Sequence, residues 1–575
     1  MPTHNEEIAH AFDEIADLLE IEGANTFRVR AYRNAARNLR SLGQEIAVLI
    51  ANGEDLTRLP GIGKDLAAKI QEMIETGKVR TLNELHKEIP PGVEDLLQIP
   101  GLGPKRVKAL YHSLGIKSVK QLEQAVRNGQ VRSLPGFGAG IEHNILAVID
   151  AHRDAEKRFL RANVVSYAEA LVTYLKRTRG AKDVVVAGSY RRCRETVGDL
   201  DILVTASGKT AVIEHFAGYD EVAKVVSKGT TRASVILRNG LQVDLRVVAQ
   251  QSYGAALYYF TGSKAHNIQV RRIAQQRGLK INEYGVFRGE QRIAGKTEAS
   301  VFKSVGLPYI PPELRQGRGE IEAAYDKCLP TLVERVDLQG DLHCHTVATD
   351  GHAGIREMAI AARQQGLKYL AITDHSRHLT IAHGLDSNRL LKQIDEIDRL
   401  NDELKGITLL KGIEVDILAD GSLDLPYDVL SRLDLVIGAV HSQLHLPRDK
   451  QTERILRAMD QPCFTLLAHP SGRLLQKRQA YDVDISRIIK QARARGCYME
   501  LNSQPQRLDL NEYYCRMAHD EGVLVSINSD AHAEQNFDFL QYGIDQARRG
   551  WLEKKDVLNA FSLRELRVRL RTTMK

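Results

Sequence analysis

Val185-Val186-Ala187-Gly188-Ser189-Tyr190-Arg191-Arg192, and then Val197-Gly198-Asp199-Leu200-Asp201-Ile202-Leu203-Val204, decide how the first half of this 575-residue chain is read. The apolar run in the second phrase predicts a strand. Carboxylates at i and i+2 of a strand point to the same face, so Asp199 and Asp201 can share divalent cations. A third carboxylate, Asp244 in Leu241-Gln-Val-Asp-Leu-Arg-Val247, can complete the set from a neighbouring strand. Gly188-Ser189 offers a tight turn and a hydroxyl for a triphosphate, and Arg192 offers positive charge. Two cations held this way would acidify an attacking 3′-hydroxyl and stabilise a leaving pyrophosphate in an in-line displacement.

Ahead of this stretch, residues 5–155 read as short amphipathic helices with little strand signal, as in Ile8, Phe12, Ile15, Leu18 and Leu19. A phrase recurs there three times: Leu59-Pro-Gly-Ile-Gly63, Ile99-Pro-Gly-Leu-Gly103 and Leu134-Pro-Gly-Phe-Gly138. A glycine turn that opens a helix lets the backbone approach a phosphate, gripping a nucleic-acid strand without reading its bases. Gly61, Gly63, Gly101 and Gly103 are the candidate turn residues, with Lys64, Lys69, Lys105, Arg106 and Lys108 adding phosphate contacts. Charge agrees: residues 1–336 hold 48 Lys+Arg against 39 Asp+Glu, whereas 337–575 hold 32 against 34. The first part is the one expected to hold a polyanion.

Beyond Asp201, β-rich runs continue to about 250 and a mixed segment to about 315. Pro311-Pro312 and the charged, Gly-containing stretch that follows read as a linker. Next, apolar runs at 338–344, 368–373, 407–414, 434–440, 463–468, 497–502 and 523–528 alternate with helical patterns, which implies a parallel β/α barrel or a close relative. Chemistry on such a barrel belongs at the carboxyl ends of the strands. The ends carry Asp341-Leu-His343-Cys-His345, Asp350, Thr373-Asp374-His375, Gly412-Ile-Glu414, Val440-His441-Ser442, Ala468-His469-Pro470 and Asn528-Ser-Asp530-Ala-His532, and 11 of the 19 histidines lie in this part. Mixed His and carboxylate ligands suit manganese, zinc or iron rather than calcium, and their number predicts two or three ions that could activate water against a phosphodiester.

The six cysteines are scattered without CxxC spacing, no apolar run reaches the length of a membrane span, and the start is polar. A reducing cytoplasm is expected, with no membrane partner and a monomeric state.

With these motifs together, the chain resembles the bacterial family X DNA polymerases over roughly residues 5–315. Tyr259-Phe260-Thr261-Gly262-Ser263, with Asn267 and Ile281-Asn-Glu-Tyr284 beyond, matches that family's nucleotide pocket. The resemblance implies that Tyr259 and Phe260 pack beside the incoming sugar and that Asn267 contacts the base or the primer minor groove. Lys264 stands where the beta-type enzyme has an acidic residue. Lys69 takes the position of the family's Schiff-base lysine, which removes 5′-deoxyribose phosphate; Tyr32 matches too, but Phe27 and Arg28 replace a His-Lys pair. Residues 337–575 resemble the polymerase-and-histidinol-phosphatase (PHP) domain, with all nine ligand positions filled: His343, His345, Asp350, His375, Glu414, His441, His469, Asp530 and His532. Fused to such a polymerase, that domain implies a 3′-to-5′ exonuclease and extends to an abasic-site endonuclease.

The expected division is therefore a helical DNA-binding domain (1–90), a fingers-like helical domain (91–155), an αβ palm (156–258), a thumb (259–315), a linker (316–336) and a distorted seven-stranded β/α barrel (337–575). The expected function is filling short gaps during base excision repair, from gapped or nicked duplex and deoxynucleoside triphosphates, with Mg²⁺ or Mn²⁺ at the polymerase site, near the bacterial nucleoid. The rival readings are a template-independent nucleotidyltransferase fused to a small-molecule phosphatase, and a DNA-end-binding scaffold.

Overall fold

The computed structural model describes residues 5–574 apart from 42–45, 52–53, 60, 77–78, 100–101, 139–140, 143–144 and 147–157. Two units divide after Lys157.

The first unit is helical. Its core forms where the apolar stripes of helices Asn5–Glu22 and Thr26–Ser41 meet, with Phe12, Ile15 and Leu18 buried and Tyr32 edge-on to Phe12 at 5.5 Å. The apolar residue inside each repeated phrase, Ile62, Leu102 and Phe137, plugs this core, and Gly61, Gly63, Gly103, Gly136 and Gly138 beside them are exposed. Gly61 and Gly136 have φ of +73° and +84°, where a side chain would be strained. Helices Lys64–Thr76 and Pro104–Leu114 start directly after Gly63 and Gly103.

The second unit begins with a five-stranded sheet. Strands β1 (Ala181–Val186), β2 (Asp199–Ala206), β3 (Val222–Lys228), β4 (Arg232–Leu237) and β5 (Gln242–Val248) lie in the order β1-β2-β5-β4-β3, antiparallel except for the β2/β5 pair. Helix Arg161–Lys176 covers it with Val164, Ala168, Leu171 and Leu175, one face of a helix at i, i+4, i+7 and i+11. A subdomain of helices Tyr253–Thr261, Lys264–Gln276 and Glu298–Ser304 around a small antiparallel sheet follows. The stretch expected as a linker is packed into it. Glu320 opens helix Glu320–Tyr325 and meets Nδ1 of His266 at 2.8 Å, both side chains fully buried, while Ile321, Ala324 and Leu332 join the core. The charged Gly-containing composition signals a loop, but two of its charges, Arg315 with Glu298 and Glu320 with His266, are paired inside, which composition does not reveal.

The remainder is a parallel barrel of β6 (Gly340–Asp341), β7 (Tyr369–Ile372), β8 (Thr408–Lys411) running on into β9 (Glu414–Asp416), β10 (Ile437–Ala439), β11 (Leu466–Leu467), β12 (Tyr498–Asn502) and β13 (Val525–Asn528). Counting β8 and β9 as one strand gives the seven expected. The parallel bridge Cys344↔Ala531 brings the first and last strands together and closes the ring. Leu342, Tyr369, Leu410, Ile437 and Leu466 fill the interior, and helices cover the outside. Among the described residues no helix is long and apolar enough to cross a membrane.

Two candidate metal-dependent sites

In the sheet, Asp201 pairs in register with Asp244 across the parallel β2/β5 ladder, and Asp199 lies two residues before Asp201 on the same face. Burial, then the charges of Asp199 and Asp244, push the Asp201 carboxyl up to about 7; burial, then Asp244, raise Asp199 as well. Three carboxylates gathered against their own repulsion are a set that a cation would stabilise. Gly188 closes over them. A Cβ there would stand 2.3 Å from Oδ2 of Asp201, and its φ is +61°, so only glycine fits the turn.

The groups around the carboxylates are cationic and aromatic. Arg192 donates to the carbonyl of Thr261, and the Arg246 guanidinium lies 4.4 Å over the Phe260 ring. Arg191 is tied to Glu298 and to the Thr261 hydroxyl. A cleft of about 880 Å³ opens beside Arg246, lined also by Phe260, Glu283, Tyr284 and Arg292. Tyr259 and Phe260 stack edge to face at 5.2 Å. Asn267, expected to reach base or primer, is instead buried here, its Nδ2 donating to the Tyr259 carbonyl at 2.8 Å. Lys264 is exposed.

In the barrel, three groups of side chains bring ligand atoms within metal-sharing distance: His345, Asp350, His375 and His532; His343, His345 and Asp530; His375, Glu414 and His441. His469 adjoins them, its Nε2 2.9 Å from Oε1 of Glu414. The donor set fits cations. Nδ1 of His345 is buried without a hydrogen-bond partner among the described residues, Nδ1 of His375 and Oε2 of Glu414 crowd each other at 2.7 Å, and Nε2 of His343 faces Nε2 of His345 at 3.1 Å. Burial, then the neighbouring His375, depress His345 to about 3. Burial opposes charge on His375, but Glu414 and Asp350 outweigh it and lift that ring to about 10. Burial would raise Glu414, yet the histidines around it, His375 first, hold it well below its ordinary range.

Five family models match the chain: a helix-hairpin-helix domain at 3–79, a SAM-like helix-hairpin-helix tandem at 93–150, the DNA polymerase beta palm at 158–274, the DNA polymerase beta thumb at 256–316 and a PHP domain at 341–504. The DNA polymerase/3′-5′ exonuclease PolX of Bacillus subtilis is 38% identical over 567 residues, covering 98% of either chain. The chain belongs to the family X DNA polymerases with a C-terminal PHP domain. Probable phosphatases of Thermoanaerobacter sp. (29% identical, 38% of this chain, 89% of theirs) and of Acetivibrio thermocellus (31% identical, 33% of this chain, 78% of theirs) are also similar.

In this family X chain several side chains in contact with the candidate ligands lie outside the sequence motifs. Glu500 accepts from Nδ1 of His343 at 2.7 Å and from the His469 backbone amide at 2.7 Å; Asp416 meets Nδ1 of His441 at 3.0 Å; Asn502 donates to Asp530 at 2.9 Å. Each orients a candidate ligand by its other ring nitrogen or oxygen. A glutamate inside the buried run Tyr498-Met-Glu-Leu-Asn502 was the available signal, because an unpaired buried carboxylate is costly.

In the helical unit Lys69 pairs with Asp65 one turn earlier, while Phe27 and Arg28 are exposed and Tyr32 is buried. Gly63 and Gly103 have open space where a side chain would be, beside exposed Lys64 and Lys105. Gly101 lies outside the described residues.

Proposed function

We propose that this chain extends a primer 3′-hydroxyl across short gaps in duplex DNA, using deoxynucleoside triphosphates, and trims 3′ ends at the second site. The observation that carries the reading is the Gly188 turn seated on Asp201, itself in register with Asp244. A glycine turn above three carboxylates is what nucleotidyl transfer requires.

Asp199, Asp201 and Asp244 would hold Mg²⁺ or Mn²⁺, whose charge acidifies the primer hydroxyl and stabilises pyrophosphate. Ser189 and the amides of the Gly188 turn meet the triphosphate oxygens. Arg192, anchored on the Thr261 carbonyl, stands beside them with its charge, and Tyr259 and Phe260 wall the sugar side. Asn267 holds the carbonyl of Tyr259 and so sets that wall.

In the barrel the nine candidate ligands would hold two or three Mn²⁺, Zn²⁺ or Fe²⁺ ions, which supply charge to polarise a phosphodiester and acidify water. Glu500 and Asp416 accept hydrogen bonds from Nδ1–H of His343 and His441, so that Nε2 of either ring would present its lone pair inward. The same chemistry extends to incision at abasic sites. Gly61, Gly63, Lys64, Gly103 and Lys105 would grip the phosphates of gapped or nicked duplex. Lys69 is the candidate nucleophile for release of 5′-deoxyribose phosphate, held in reserve by Asp65. Base excision repair is the process that uses all of these steps.

The test is a 5′-labelled primer in a one-nucleotide gap with Mn²⁺. Addition of one complementary nucleotide, and a shortening ladder when nucleotide is withheld, are expected. A ladder-free, unextended primer would reject the reading.

A further inference from the structure

Two loops at the carboxyl ends of β11 and β12 meet at the rim of the barrel's metal-ligand cluster. They are zipped together by Leu475 N to Gln506 O at 2.6 Å and by Lys477 Nζ to Gln506 Oε1 at 2.9 Å. No acidic residue occurs from Pro470 to Tyr481 or from Ser503 to Leu508, yet the loops carry Arg473, Lys477, Arg478 and Arg507. Arg473 is neutralised, since it donates to Glu195 of the sheet domain and to the Leu508 carbonyl.

Arg507 is different. Its Nε lies 3.8 Å from Oδ2 of Asp530, a candidate ligand, and its side chain is 24% exposed. Among the described residues nothing closer accepts from its guanidinium. The backbone beneath is braced on the cluster: Gln504 donates to the Asp530 carbonyl at 2.8 Å, and the Arg507 amide bonds to the Gln504 carbonyl at 2.8 Å. The nearby carboxylate of Asp509 is engaged by the Ser471 amide at 3.0 Å. Arg478, exposed on the facing loop, is anchored to the Gly472 carbonyl at 2.8 Å. Burial, and then the like charge of Arg507, hold the Arg478 guanidinium below its ordinary value. A guanidinium with free donors 3.8 Å from a candidate ligand, with a second cation on the loop zipped to it, makes a receptor for a phosphodiester at the edge of the metal-ligand cluster.

We propose that Arg507, assisted by Arg478, grips a phosphate of the strand being shortened and places it against the metal-ligand cluster. The assignment rests on the exonuclease reading above. It makes Arg507 a substrate-binding residue of the trimming site with no part in synthesis.

The probe is thymidine 5′-(p-nitrophenyl phosphate), a phosphodiester of a single nucleotide. Water adds to phosphorus as the ester P–O bond breaks, giving thymidine 5′-monophosphate and p-nitrophenolate. Mn²⁺-loaded Arg507→Gln is expected to raise KM for this probe roughly tenfold, the loss of a charge-assisted contact. Arg478→Gln should raise it less, and Arg507→Lys should recover part of the loss. Thymidine 5′-monophosphate should inhibit Arg507→Gln more weakly than the parent by a similar factor. Bound manganese per chain and gap filling are expected to stay unchanged. An unaltered KM in Arg507→Gln, or a loss of bound manganese that accounts for its defect, would overturn the proposal. Failure of the parent enzyme to shorten DNA would instead reject the exonuclease reading itself.

Discussion

Arg549 of the barrel domain donates from Nη1 to the backbone carbonyl of Arg192 at 3.1 Å. Its Nη2 meets Glu512 at 2.6 Å, and its side chain is 1% exposed. The turn that would cradle a nucleotide triphosphate is thus held from behind by the other catalytic domain. Glu195, three residues further on, adds to the clamp by accepting from Arg473 and from Gln546 at 2.5 Å. Arg549→Ala should therefore raise the KM for the incoming nucleotide in gap filling. It should also lower unfolding free energy by about 3 kcal/mol, because Glu512 loses its buried partner. Nucleotide titration and urea unfolding check both effects; unchanged nucleotide KM would mean that the two domains merely touch.

The glycine over the carboxylates is a second point of leverage. In Gly188→Ala the new methyl would collide with Asp201 and sit at positive φ. A displacement of the order of 1 Å at a reacting centre costs roughly a hundredfold in rate. Gap filling should fall by about that factor while 3′ trimming persists, as read on one gel.

The polymerase site should also be sensitive to acid. Burial and then the neighbouring carboxylates raise the Asp201 pKa to about 7, so a proton competes with the cation as pH falls through that value. The metal concentration giving half-maximal gap filling is expected to rise roughly tenfold between pH 7.5 and pH 6. For the metal-free fold the sign is the usual one for a raised carboxyl. The contribution is complete below the unfolded value of 3.8 and is lost as pH rises through about 7. A metal requirement that is flat across this range would contradict the carboxylate cluster as the cation site.

Glu500 tests the barrel from one step behind its ligands. Glu500→Gln removes the charge that holds Nδ1–H of His343. A loss of 10- to 100-fold in manganese affinity is the ordinary consequence of such a change. Equilibrium dialysis should show it with synthesis unaffected; full affinity would make Glu500 a packing residue only.

Much of this was legible in the chain because it is local. Asp199 and Asp201 share a strand face by spacing alone, and the barrel ligands stand at the ends of runs whose alternation with helices announces a parallel fold. The three Pro-Gly phrases repeat in sequence and so declare themselves. Glu500 escaped notice because one carboxylate in an apolar strand has no motif; only its pairing with His343, 157 residues away, gives it meaning. Glu195, Arg473 and Arg549 escaped for the same reason, their partners lying hundreds of residues off. The stretch after Pro311-Pro312 reads as a loop because paired buried charges, Glu320 with His266 and Arg315 with Glu298, look like solvent-facing charges until they are seen folded.

The candidate lyase residue gives a further test. Asp65 engages the Lys69 amine. Asp65→Ala should increase the borohydride-trapped adduct with a 5′-deoxyribose-phosphate end, and Lys69→Ala should abolish it. Trapping that survives in Lys69→Ala would place the nucleophile elsewhere.

The central claim is that one chain carries two separate metal-dependent sites, one that lengthens a 3′ end and one that shortens it. The direct measurement places Asp201→Asn and Asp530→Asn side by side on a 5′-labelled, singly gapped substrate with Mn²⁺, with and without nucleotide. The account predicts that the first variant shortens the primer but cannot extend it, and that the second extends it but cannot shorten it. Loss of both activities in either variant, with the fold intact, would contradict it.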